Sequence, residues 1–146
     1  MDARTMDART QAILQDLVRK EGRSLLQYVG ESYPWTTANN HDKLPVLLQM
    51  VKEEQDAAAA VVRLLLKRKV RPPYLGAYPM HFTTINYISL DHLLPPLVDF
   101  EKRRIAELDR ELPLVDDVEA RAAVLSLLDM KRRHLQTLDG LAPSNV

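Results

Sequence analysis

Four stretches of this chain place apolar residues at alternating steps of three and four, and none sustains an alternation of period two. A chain patterned this way can hide its apolar surface only by packing helix on helix. The first stretch covers about 10–29 and stops at Gly30, a residue suited to the end of a helix. The second covers 42–69, accepts Pro45 in its first turn, and carries four alanines from Ala57 to Ala60. Its closing Lys67, Arg68 and Lys69 suit the negative end of the helix dipole. The third covers 83–112, with Thr83 or Thr84 able to cap it. Pro95 and Pro96 must kink it or mark its true start, because each removes a donor and crowds the preceding turn. The fourth covers 116–138, acidic at its start and followed by Gly140.

Connection lengths then constrain how the helices are joined. The links between the first two helices and between the last two are short, which makes each pair an antiparallel hairpin. The second helix spans about 39 Å. The breaker-rich connection 70–82 reaches at most about 45 Å. It is long enough to carry the chain back along the whole second helix, which a simple up-and-down arrangement would not need.

Each helix presents one stripe toward the core, and each stripe is interrupted near its middle by an ionisable residue. The first reads Leu14, Val18, Glu21, Leu25, Tyr28, and the second Leu47, Val51, Glu54, Ala58, Val61, Leu65. The third reads Leu94, Val98, Glu101, Ile105, Leu108, and the fourth Val124, Leu127, Lys131, His134, Leu138. In a neighbouring register Glu53 takes the place of Glu54. A lone buried carboxylate costs several kcal/mol, so three of them require partner charges or a metal. Read as a bare charge run, 131–134 would instead be a solvated face.

These stripes resemble those of the ferritin-like superfamily, nearest to rubrerythrin-type bundles, over roughly 10–138. The resemblance implies an all-α, ferritin-like four-helix bundle with one long crossover between helices two and three. It also implies a di-metal carboxylate centre, with one Glu from each of two helices and a Glu-x-x-His from each of the others. Glu21 and Glu101 match the lone carboxylates. Glu54 matches a third, but Ala57 stands where its histidine belongs. His134 matches the remaining histidine, while Lys131 stands where the glutamate belongs. The candidate metal ligands are therefore Glu21, Glu54, Glu101 and His134, for iron or manganese. Lys131 would replace the metal's charge, since a cation in that slot repels a metal pair. A structural role comes ahead of ligation for His134. The expectation is a lost or rebuilt centre with no cofactor, acting through binding or assembly. The alternative is a di-iron or manganese oxidase or peroxidase-like protein. A third reading is a helical interaction module whose seam charges face solvent.

Composition narrows the remaining classes. Twenty basic and twenty acidic side chains cancel, so no global field draws the chain to nucleic acid or anionic lipid. The absence of cysteine removes disulfides and thiolate chemistry. No apolar run approaches the roughly 20 residues of a membrane span, and the N-terminus lacks a signal-peptide pattern, so a cytoplasmic protein is expected. The opening MDART-MDART reads as a duplicated start and an ill-ordered tail over 1–9; 10–140 is one domain, and 141–146 a C-terminal tail. His92 reads as a capping or anchoring residue, and His81 and His41 lie in connections. The pairs Tyr33-Pro34 and Tyr78-Pro79, with Trp35 and Phe82, read as aromatic plugs. Arg103, Arg104, Arg132 and Arg133, interleaved with carboxylates, read as solvated surface. No phosphate loop, catalytic triad or small-molecule substrate site is identifiable. A homodimer through a helix face is the expected assembly.

Overall fold

Asp7 starts the first helix: its backbone is extended and its side chain accepts a hydrogen bond from the Thr10 N–H at 2.7 Å. The computed structural model describes residues 5–32, 34, 36–38, 40–85 and 89–141, and all regular structure among them is helical. The helices are α1 (Ala8–Gly22), α2 (Leu25–Ser32), α3 (Lys43–Lys67), α4 (Leu90–Glu111) and α5 (Val118–Leu141). Short 3-10 turns occupy Met80–Ile85 and Leu112–Leu114. The second MDART copy takes part in this architecture, with Met6 buried and Thr10 accepting from the Asp116 N–H.

Several helix boundaries differ from the sequence expectation, α5 among them, since it runs through Gly140 to Leu141. The single helix expected over 10–29 is divided at 23–24 into α1 and α2. Ser24 accounts for the division, because its hydroxyl oxygen accepts from the Gln27 N–H and its carbonyl from the Tyr28 N–H, starting a fresh helix. Gly30, expected to end the helix, lies inside α2, where a Cβ would stand 3.0 Å from Val51 Cγ2. Its bareness lets α2 approach α3 closely. The third helix was expected to start at Thr83 or Thr84. Those hydroxyls instead donate to the carbonyls of Met80 and His81 within a 3-10 turn. Ser89, in extended backbone, precedes α4, and its hydroxyl pairs with His92 Nδ1 at 2.7 Å. The helix runs through Pro95 and Pro96, whose missing donors free only the carbonyls of Asp91 and His92 in its first turn. Tyr33, Trp35, and the segments 1–4 and 142–146 lie outside the described residues.

Long-range ion pairs give the helix directions. Lys20 on α1 pairs with Glu107 on α4 at 3.0 Å, and Thr10 meets Asp116 just past the end of α4, so these helices are antiparallel. Arg68, beyond the end of α3, grips Asp117 with two hydrogen bonds of 2.7 and 3.2 Å, and Asp117 in turn caps α5 through the Ala120 N–H. At the other end of the same pair of helices, His134 on α5 meets Glu53 on α3. α3 and α5 are therefore antiparallel as well.

The apolar interior falls into two clusters. One gathers Leu14, Leu17, Val18, Val61, Leu65, Leu108, Val124 and Leu127. The other gathers Leu26, Val29, Leu47, Met50, Leu90, Leu94, Leu97 and Leu138, with Phe82 from the connecting segment. Tyr28, Tyr78, Phe82 and Phe100 pack there in edge-on and tilted pairs at centroid separations of 5.3 to 6.4 Å. Between the two clusters on α1, α3, α4 and α5 lie Glu21, Glu54, Glu101 and Lys131. The core is split by a charged layer.

Candidate functional site

The layer is assembled from the positions that interrupt the four stripes. A helix repeats every 3.6 residues, so a charge in register with the apolar stripe turns inward with it. Glu21, Glu54 and Glu101 are each at most 1% exposed, and Lys131 is fully buried. The Lys131 ammonium sits among all three carboxylates. It lies 2.6 Å from Glu21 Oε2, 3.3 Å from Glu54 Oε2 and 3.4 Å from both oxygens of Glu101. The 2.6 Å contact is the shortest but falls outside hydrogen-bond alignment, leaving Glu21 Oε2 with an ionic partner and no well-directed donor.

A second cation serves Glu21. Arg104 Nε and Nη2 donate to Glu21 Oε1 at 3.1 and 2.9 Å, and Nη1 donates to Glu107 at 2.9 Å. Arg104 was expected on a solvated basic surface; it is 3% exposed. The signal was its place three residues beyond Glu101, on the same helix face. Two neutral donors complete Glu54: the Ser24 hydroxyl and Gln27 Nε2, both on Oε1. Gln27 also bonds the Val51 carbonyl and receives a bond from Gln55. Neither Ser24 nor Gln27 stood out in the sequence, because neutral polar residues inside an expected helix are ordinary.

Electrostatics follow from this packing. Burial alone would lower the Lys131 pKa, but the three carboxylates outweigh it and hold the ammonium above the ordinary lysine value. Burial raises the Glu54 carboxyl, with Glu21 adding to the effect and Lys131 opposing it. Burial also pushes Glu101 up to about 7, against the pull of Lys131. Three carboxylates facing one ammonium and one guanidinium leave an excess negative charge, which a proton on Glu54 or Glu101 relieves.

His134 belongs to a neighbouring pair. Its side chain is 3% exposed, and Nε2 meets Glu53 Oε1 at 2.9 Å, while Nδ1 has no hydrogen-bond partner. Burial lowers its pKa, with Glu53 opposing. Both alternatives of register are therefore used: Glu54 faces the lysine and Glu53 the histidine. Of the expected ligand set, the structure brings Glu21, Glu54 and Glu101 together around Lys131 and engages His134 elsewhere.

The arrangement does not suit a metal pair. Bridging carboxylates need their oxygens free toward the metals, and here a cation already occupies the space between them. Among the described residues, no group of three or more His, Asp or Glu side chains is disposed to hold a metal ion. No helix among them is long and apolar enough to cross a membrane. Comparison of the chain with protein-family models, curated proteins and solved structures finds no match.

Proposed function

We propose that this chain is a ferritin-like four-helix bundle whose di-metal centre has been rebuilt as a permanent ionic cluster, and that it acts by binding or assembly. One observation carries the reading: the Lys131 ammonium lies within 3.4 Å of Glu21, Glu54 and Glu101, in the space that metal ions would fill. Three helices supply one carboxylate each at the depth where the family places its ligands, and the fourth supplies the charge. The chain path adds support. Lys43 and Asp91, at the starts of α3 and α4, pair at 3.2 Å; α1 runs opposite to α3, since Gln15 meets the Arg71 carbonyl while Ser24 meets Glu54, and opposite to α4, so α3 and α4 are parallel. Two parallel consecutive helices call for a connection that travels the length of the bundle, and the described stretch 68–85 lies between them in the chain, which supports this reading.

The test is elemental analysis of protein purified from cells supplied with iron and manganese, with thermal unfolding in the presence and absence of each ion. The expected result is far less than one metal per chain and an unchanged melting temperature. The double variant Lys131→Glu with Ala57→His completes the ligand set and should gain stability from either ion. A ligand at a hundred times its Kd stabilises by about 2.7 kcal/mol, or roughly 5–10 °C for a chain of this size. A shift of that size in the wild-type protein, with stoichiometric metal, would overturn the proposal in favour of a metalloprotein.

A further inference from the structure

We infer that the cleft beneath the 75–82 segment, between α1 and α4, binds a small amphipathic organic anion. The inference stands independently of what the interior cluster descends from. The cleft measures about 320 Å³. Since a water claims about 30 Å³ of liquid, it has room for on the order of ten water-sized groups. Its floor is apolar and aromatic, formed by Leu75, Phe82 and Phe100. Four cations line it, Arg19, Lys20, Arg23 and Arg104, against a single carboxylate, Glu107.

The ion pairs identify which cation is available. Asp16 and Glu107 engage Lys20, Asp16 also meets Arg19, and Glu21 with Glu107 engages Arg104. Arg23 has no carboxylate partner among the described residues. Its guanidinium is held in place all the same. Nε donates to the Gly76 carbonyl at 2.7 Å, Nη1 to the Gly22 carbonyl at 3.0 Å, and the group stands 4.9 Å from the Tyr78 ring centroid. The Tyr78 side chain engages the guanidinium as well, so at least two of its five N–H groups are used and the remainder can receive an anion. A fixed, half-buried guanidinium beside an aromatic floor recognises a carboxylate or phosphate attached to an apolar body. The favoured ligand class is a free carboxylate with a short alkyl or ring system, its head on Arg23 and its body over Phe82 and Phe100.

The probe is decanoate below its micellar concentration, titrated into the full chain by calorimetry, with decyltrimethylammonium as the same tail bearing the opposite charge. Decanoate should bind one to one and the cationic analogue at least ten times more weakly. Arg23→Gln should weaken decanoate about tenfold, as the loss of one charge-assisted hydrogen bond would. Ala77 is exposed at the cleft edge and outside the packed interior, so Ala77→Trp should abolish binding while the melting temperature stays put. Phosphatidylglycerol vesicles present the same chemistry on a surface, and the protein should remain in the supernatant when they are sedimented. Equal binding of both tails, binding undisturbed in Ala77→Trp, or co-sedimentation that Arg23→Gln prevents would each overturn the soluble-anion site.

Discussion

Replacing Lys131 by methionine keeps the length of the side chain but leaves Glu21, Glu54 and Glu101 facing one another with only Arg104 beside them. Breaking a buried ion pair from one side typically costs about 3–5 kcal/mol, because the surviving charges lose their partner without regaining water. Lys131→Met should show a loss of that size in urea unfolding at pH 8. Lys52→Met, at an exposed pair with Asp56, should stay within about 0.5 kcal/mol of wild type. A buried-lysine variant as stable as the exposed one would rule out the cluster as described. The carboxylates bring their own pH dependence. Glu101 is raised in the fold from 4.5 to about 7, so the folded state holds more protons than the unfolded state between those values. Stability from this group is complete below about 4.5 and is lost as pH rises toward 7, by up to about 3 kcal/mol. His134, lowered by burial, works in the opposite direction, its contribution falling away as pH drops below 6.5. Comparing wild type with Glu101→Gln isolates the carboxylate. The downward slope of stability with rising pH should shrink in the variant, and identical slopes would show that Glu101 does not titrate there.

At the scale of the element, Ser24 joins two tasks that no single helix could serve. It starts α2 directly after α1, and it donates to Glu54 from the turn so formed. Ser24→Ala should cost about 1–3 kcal/mol, the sum of a lost cap and a buried carboxylate oxygen short of one donor. Ser24→Asp would restore a cap while adding a fourth carboxylate, so it should be the worse of the two above pH 7. Denaturation of the pair at pH 8 decides this; equal stability would mean that the serine acts as a cap alone. The continuous first helix expected from periodicity failed here for a local reason. The apolar stripe passes through Glu21, Leu25 and Tyr28 without a break in register, so periodicity carries no trace of the turn. At the third helix, Thr83 and Thr84 were the caps expected from the sequence, and Ser89 was not among them. Only the 3-10 turn at Met80–Ile85, which packs Phe82 into the core, placed the start at Leu90.

Across the whole molecule, the ionic layer ties together α1, α3, α4 and α5, each of which contributes one charge to the same small volume. Opening any one of them exposes or strands the other three. Backbone amides flanking Glu21, Glu54, Glu101 and Lys131 should therefore exchange with solvent through one shared opening. In Lys131→Met their protection should fall together, while the amides of the eight-residue α2 exchange by local opening in both proteins. Hydrogen exchange measured residue by residue would test this. Independent rates at the four positions would mean that the two apolar clusters, and not the charged layer, set cooperativity.

The sequence by itself settled that the chain is helical and where most helices lie, and it put Glu21, Glu54, Glu101, Lys131 and His134 in line with the apolar stripes, while leaving a solvated face and the Glu53 register open. Those properties follow from a 3.6-residue repeat that each helix carries alone. Partner choice was not legible in the same way. Arg104 reaches Glu21 across 83 positions of chain, and Lys131 reaches Glu54 across 77. The i, i+3 spacing from Glu101 hints that Arg104 shares the inward face, unlike the exposed Arg103, but nothing near it names Glu21 as its partner. Which of the paired Glu53 and Glu54 meets the lysine and which the histidine likewise depended on the rotation of α3 against α5. Those were decided by tertiary structure, because desolvation and Coulomb attraction act between groups that only the assembled fold brings within a few ångströms of each other.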